Sequence, residues 1–209
     1  MAQKLKDEVR QAIITAAKEE FLERGYEDAS MRSIAQKAGI TVGNIYRYFD
    51  NKDDLNRQIL AQTSDDIKDL LRSFRIDSLS KQPRVFDMSL DNQDLNELMN
   101  RFTDSMVDLY FRKRSEFNII LCNEDLNGRI RKWFSDSFGT LIYQKYSYAD
   151  QRQMREYLSS AYSEAVFAGM KDIFMKGIED EKTLRLILKN FLSHFITMVN
   201  ENKANGNLY

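Results

Sequence analysis

The stretch that decides the fold is Ser30-Met31-Arg32-Ser33-Ile34-Ala35-Gln36-Lys37-Ala38-Gly39-Ile40-Thr41-Val42-Gly43-Asn44-Ile45-Tyr46-Arg47-Tyr48-Phe49-Asp50-Asn51-Lys52-Asp53-Asp54-Leu55. Ser30 is a good helix N-cap, and Ile34, Ala35 and Ala38 recur at the spacing of one buried face, so a short helix is expected over 31–38. Gly39 closes it and supplies the positive φ that a sharp turn needs. Thr41 can cap a third helix over 42–48, with Ile45 and Phe49 pointing inward. Two very short helices around a glycine turn form the helix-turn-helix pattern, with Ala35 small because the helices approach most closely there. The other face of the third helix carries Val42, Gly43, Asn44, Tyr46, Arg47 and Tyr48, small, hydrogen-bonding and aromatic groups that can enter a major groove.

Upstream, Val9, Ile13, Ala16 and Ala17, continued by Phe21 and Leu22, make the apolar stripe of a first helix, and Gly25 is expected just past its end. Downstream, Asn51 is placed to cap a fourth helix. Asp53 and Asp54 suit its positive end, and Asn51 with Asp54 has capping-box spacing. Lys52 stands out: a cation in a helix's first turn opposes the dipole, so it points to a second use such as a nearby phosphate. Ile59, Ile67, Leu70, Leu71 and Phe74 carry this helix onward as the link between the head and the rest of the chain.

These residues resemble the DNA-binding signature of the tetracycline-repressor (TetR/AcrR) family over roughly residues 8–57. The most telling part is Gly43-Asn44-Ile45-Tyr46-Arg47-Tyr48-Phe49 followed by Asn51-Lys52-Asp53-Asp54-Leu55. The resemblance implies that Gly43 and Tyr46 lie against DNA, that Tyr48 and Lys52 contact phosphate, and that Ser30 and Thr41 donate to the backbone from helix starts. Position 42 varies in the family and often carries a polar or basic residue; Val42 offers no hydrogen bond and at best touches a thymine methyl. Arg47 and Asn44 are then the remaining candidates for base edges.

The rest of the chain fits a helical regulator. It has 209 residues, 43% hydrophobic and 30% charged, with one proline and eight glycines, and strand-like alternation is nearly absent. The fold class is therefore all-α. Thirty-one Lys and Arg against 32 Asp and Glu give a net charge of -1, so any nucleic-acid surface must come from local arrangement. Cys122 is the only cysteine, which excludes a disulfide framework and a cysteine-rich zinc site. No signal peptide and no spanning segment is visible, which points to a cytoplasmic protein without a membrane partner.

Domains are expected over 1–56, for DNA binding, and 57–209, for ligand binding and dimerisation. After a loop-like stretch over 76–91, helices are expected over 92–114, 115–122, 126–145, 149–176 and 180–202. Leu184, Leu188, Phe191 and Phe195 have the heptad steps of a packed helix pair, and Ala161 and Ala165 permit close approach; together they are the candidate seam of a four-helix homodimer interface. Phe102, Met106, Tyr110, Trp133, Phe134 and Tyr157 are the candidate lining for a small, mostly apolar or aromatic effector.

Metal and catalytic functions lack their motifs. His194 has no companion ligand, and no metal, cofactor or catalytic residue is expected. There is no glycine-rich phosphate loop and no nucleophile elbow, so the protein is not read as an enzyme. The expected function is a one-component regulator that binds palindromic double-stranded operator DNA as a dimer and is released by its effector. The alternative is a helical interaction or adaptor protein without sequence-specific DNA binding.

Overall fold

The computed structural model describes residues 2–74, 92–145 and 152–201. Every regular element among them is helical: α1 (Ala2–Asp28), α2 (Met31–Lys37), α3 (Val42–Ile45), α4 (Lys52–Ser73), α5 (Asn92–Arg112), α6 (Arg114–Cys122), α7 (Glu124–Lys145), α8 (Arg152–Met175) and α9 (Glu181–Glu201). The all-α class follows from a composition rich in helix formers and poor in breakers. The loop expected over 76–91, the start of the helix expected from 149 and the end expected at 202 lie outside the described residues. Among those described, no helix is long and apolar enough to cross a membrane.

Several expected helix ends shift by a residue or two, and those of α1 and α3 shift most. Gly25 does leave the helical region, at φ +77, but α1 resumes beyond it and ends at Asp28. Regular α3 ends at Ile45, not Tyr48. Arg47 N–H and Tyr48 N–H bond to Asn44 O at 3.1 Å and Ile45 O at 3.0 Å, the three-residue reach that tightens a helix terminus.

The chain divides by contacts into two units, Met1–Ile67 with Lys113–Asn127, and Lys68–Arg112 with Gly128–Tyr209. The first thus runs beyond the 56/57 boundary where the motif ends, and it takes in α6, which packs on α1. There Lys18 Nζ lies 2.7 Å from Glu116 Oε1. Burial raises the Glu116 carboxyl's pKa, but Lys18, the helix's own backbone N–H and Lys113 together outweigh it, and the net shift is downward. The core of this unit joins Ile13, Ala17 and Phe21 of α1 to Ile34, Ala35, Ile45, Phe49 and Leu55, all buried.

In the second unit α9 packs on α5 and α8. Tyr110 is fully buried, and its hydroxyl donates to Phe174 O at 3.1 Å. Gly169 of α8 is where α9 comes close: an added Cβ would lie 2.8 Å from Phe191 Cε2 and nearer still to Cζ. The Phe191 ring therefore occupies the space that glycine leaves.

Candidate nucleic-acid interface

Each cap expected in the helix-turn-helix is formed. Ser30 Oγ accepts from Ser33 N–H at 3.1 Å, and Ser33 Oγ accepts from Ser30 N–H at 3.3 Å, a reciprocal capping box with serine in the usual Glu position. After Ala38, Gly39 takes φ +68, Ile40 N–H reaches Ala35 O at 3.0 Å and Gly39 N–H reaches Gln36 O at 3.2 Å. This Schellman ending turns the chain sharply toward α3. Thr41 Oγ1 then accepts from Asn44 N–H at 3.3 Å, which leaves its own hydroxyl hydrogen to donate elsewhere.

Ile45 and Phe49 are buried, and Arg10 lies over the Phe49 ring, 5.4 Å from its centroid. Arg10 also donates to Gln58 Oε1 at 2.7 Å, so it braces α1 against α4. With that face fixed, α3 and the turn after it expose Val42 at 41%, Tyr46 at 50%, Gly43 and Arg47, while Asn44 and Tyr48 are half-buried. Of the nine residues expected at DNA, these six form one surface, flanked by the exposed caps Ser30 and Thr41.

Lys52, the ninth, is engaged by the protein itself. Its Nζ donates to Tyr26 O at 2.7 Å, Glu27 O at 3.0 Å and Ala29 O at 3.0 Å, and it lies 4.5 Å from the centroid of the Tyr26 ring. The Tyr26 hydroxyl bonds to Asp53 Oδ1. Burial, and then that carboxylate, push the Tyr26 phenol well above its usual pKa. At the start of α4, Asn51 Oδ1 accepts from Asp54 N–H at 2.8 Å as an N-cap should; Asp54, being short, bonds Asp50 N–H at 3.3 Å instead of closing the box on Asn51.

Glu20 is the important residue that sequence reasoning passes over. It is buried, with Lys37 Nζ 3.0 Å from one carboxylate oxygen and Arg24 Nε 3.3 Å from the other. Neither oxygen has a donor in good hydrogen-bond alignment. The neighbouring Ser33 hydroxyl, Lys37 and Arg24 hold the carboxyl below its ordinary pKa against the opposing effect of burial. Lys37 is thus tied to Glu20 and Glu23 and fastens α2 to α1. The missed signal is periodicity: Glu20 continues the stripe Ile13, Ala16, Ala17, and an acid on a core face needs a partner.

The other candidate sites are partly assembled. Trp133 stacks on Phe102 at 4.7 Å and 10°, and Phe134 meets both rings edge-on. Phe74 adds an edge contact to Phe102, and the buried Trp133 Nε1 has no hydrogen-bond partner among the described residues. Met106 is buried, Tyr110 packs on Phe174, and Tyr157 is 67% exposed. Of the expected seam, Ala161 and Ala165 are exposed, but Leu184 and Leu188 are covered within the chain, and half-buried Phe191 lies on Gly169 and beside Phe195, ring centroids 5.0 Å apart. Heptad spacing shows that a helix has an apolar stripe, not which neighbour covers it. Among the described side chains of α9, Leu186 and Ile187 are exposed apolar residues. His194 is exposed with Nδ1 2.6 Å from Asn190 O, and the described residues contain no metal-binding cluster of His, Cys, Asp or Glu.

Comparison with known proteins bears on the same region. Residues 13–59 match the family model described as bacterial regulatory proteins, tetR family. The HTH-type transcriptional regulator SrpR of Pseudomonas putida is 44% identical over 55 residues, covering 26% of each chain. The HTH-type transcriptional repressor BepR of Brucella suis biovar 1 is 42% identical over 55 residues, again 26% of each. The matched part thus spans about a quarter of these relatives' length. A TetR-like transcriptional regulator from Rhodococcus sp. RHA1 shares the fold over 88% of this chain and 92% of its own, with a TM-score of 0.54 at 17% identity. The helix-turn-helix thus matches the tetR family of bacterial regulatory proteins over residues 13–59, and the all-helical fold is that of a TetR-like regulator.

Proposed function

We propose that the protein is a one-component transcriptional repressor whose α3 reads palindromic operator DNA, that it acts as a homodimer, and that a small aromatic effector releases it. The observation that carries the DNA-binding reading is Gly43. Its backbone is helical, it needs no positive φ, and an added Cβ would meet nothing within 4 Å. Glycine in a helix costs about 1 kcal/mol relative to alanine, and the fold gains nothing visible in return. Gly128 is equally open, so openness alone decides nothing. What distinguishes Gly43 is its setting between exposed Val42 and Tyr46, with Arg47 alongside: an apolar contact, an aromatic and a cation around a place where a second backbone can come close.

On this reading Ser30 and Thr41 donate to phosphate, Tyr48 flanks the same face, and Asn44 and Arg47 are the candidates for base edges. Dimerisation is supported by the exposed stripe Met154, Tyr157, Ala161, Ala165 and Ala168 on α8 with Leu186 and Ile187 on α9, an isologous surface for a second copy. An effector site is supported by the Phe102, Trp133 and Phe134 cluster. A buried indole N–H without a partner costs roughly 1–3 kcal/mol, which an aromatic ligand carrying an acceptor would recover.

Selection from a randomised duplex pool is the test: enrichment of an inverted repeat supports the reading, and no enrichment at low salt sinks it in favour of a helical adaptor. Trp133 is the only tryptophan. Its emission then reports effector binding directly, and a compound that quenches it without weakening the selected duplex is not the releasing ligand.

A further inference from the structure

The fate of Lys52 has a consequence for how α3 is presented. An ammonium has three donors, and here all three point at carbonyls from the last turn of α1 and just beyond it, Tyr26 O, Glu27 O and Ala29 O, at 2.7, 3.0 and 3.0 Å. Those carbonyls sit where a helix runs out of N–H partners and carries its partial negative charge. Lys52 is badly placed for the dipole of α4, to which it belongs, and well placed for the dipole of α1. Asp53, its neighbour, takes the Tyr26 hydroxyl, so two consecutive residues of α4 grip the same turn of α1. The reading segment is therefore tied to α1 on both sides: upstream through Lys37 with Glu20 and Glu23, downstream through Lys52.

We propose that Lys52 is a positioning residue, not a phosphate ligand: it seals the end of α1 onto the start of α4 and so fixes the angle at which α3 meets DNA. This rests on the DNA-reading proposal above. Arginine separates the two roles. Its planar fork serves a phosphate as well as lysine or better, but it does not fit three carbonyls converging on one point.

The experiment uses the full chain and the duplex that the wild-type protein enriches from a random pool. Lys52→Ala and Lys52→Arg are assayed at a temperature where circular dichroism shows both folded. A strut predicts that both variants lose affinity, by about tenfold or more, with the dependence of log K on log salt unchanged from wild type. A phosphate ligand predicts that Lys52→Arg binds like wild type and that Lys52→Ala lowers the slope by about 2 per dimer, roughly 0.9 for each contact. Unchanged affinity in both variants also overturns the proposal, since a residue that only adds stability leaves binding by the folded protein alone. Should neither variant fold, the wild-type protein still decides: a Lys52 ammonium held by three carbonyls gives a slowly exchanging resonance in the free protein that duplex leaves in place, and a resonance that appears only with duplex overturns the inference. A wild-type protein that enriches no duplex sinks the DNA-reading proposal itself, an outcome distinct from either slope.

Discussion

Two glycines, Gly43 in α3 and Gly169 in α8, sit in helical segments and lack a side chain for opposite reasons. At Gly169 the missing Cβ is accounted for inside the chain, because the Phe191 ring stands in its place. At Gly43 nothing among the described residues uses the space. A glycine that packing requires reports on the fold, whereas one that packing leaves idle, on a surface that also exposes Val42 and Tyr46, reports on something outside it. The two positions should therefore respond to substitution in opposite observables, and that contrast can be broken experimentally.

The largest effect is expected at Gly43. Gly43→Leu adds a good helix former in open space, so chemical denaturation should show stability unchanged or raised by up to about 1 kcal/mol. Duplex affinity should fall by about a hundredfold, roughly 3 kcal/mol, because the side chain holds the DNA backbone away. Loss of stability in place of affinity would make Gly43 another Gly169 and end the contrast.

At Gly169 the signs reverse. Gly169→Ala forces the Phe191 ring to move and should cost about 1–3 kcal/mol in urea denaturation, the usual range for overpacking. Gly169→Ala combined with Phe191→Leu should recover part of that loss, since residues in contact do not add. Additive losses would mean that the ring already has room to move.

Gly43 and Gly169 also show why the two regions differed in legibility. The helix-turn-helix is encoded by contacts only a few residues apart: Ser30 with Ser33, Gly39 between Ala35 and Ile40, Thr41 with Asn44. Local spacing carries such information, so the capping residues, the turn and the face with Val42, Tyr46 and Arg47 could be read directly. Lys52 could be recognised as misplaced but not assigned, because the carbonyls that receive it lie 23 to 26 residues upstream. The long helices present the harder case. Their apolar stripes fix that they pack, but Leu184 and Leu188 needed the structure to show that they are covered within the chain. Trp133, Phe102 and Phe134 share with Tyr157 an aromatic character that spacing alone cannot divide; the fold stacks the first three together and leaves Tyr157 exposed.

A smaller effect, and one with a pH signature, is expected where the helix-turn-helix unit is polar inside. Glu20→Gln keeps the volume but removes the charge held by Ser33, Lys37 and Arg24, and should cost about 1–3 kcal/mol at pH 7. The folded pKa is lowered, so this contribution is complete above the ordinary glutamate value of 4.5 and drains away as pH falls through the folded value. Wild type and variant should therefore converge in stability as the pH is taken below the lowered folded value. A gap that persists undiminished in acid would show that the Glu20 charge does not tie α1 to α2.

The smallest effect is expected in the second unit's most crowded set of charges. Arg185 of α9 bonds to Asp108 and Glu181, and its Nη1 lies 2.9 Å from Asp104 O and 3.1 Å from Asp104 Oδ1, with Lys189 Nζ 2.7 Å from the same carboxylate oxygen. The number of bonds suggests a strong clamp between α5 and α9. Solvent argues otherwise, because the three carboxylates are 41–55% exposed and their attraction to Arg185 is largely screened. Beneath them Leu184, Leu188 and Leu192 are already buried, and that apolar contact does not depend on charge. Arg185→Met, which retains most of the side chain's apolar stem, should therefore cost under about 1 kcal/mol in low salt, and less in 0.5 M salt. A loss several times larger, insensitive to salt, would mean that charge rather than the leucine face holds α9 on α5. The contrast between a polar frame in the helix-turn-helix unit and an apolar one in the second unit would then fail.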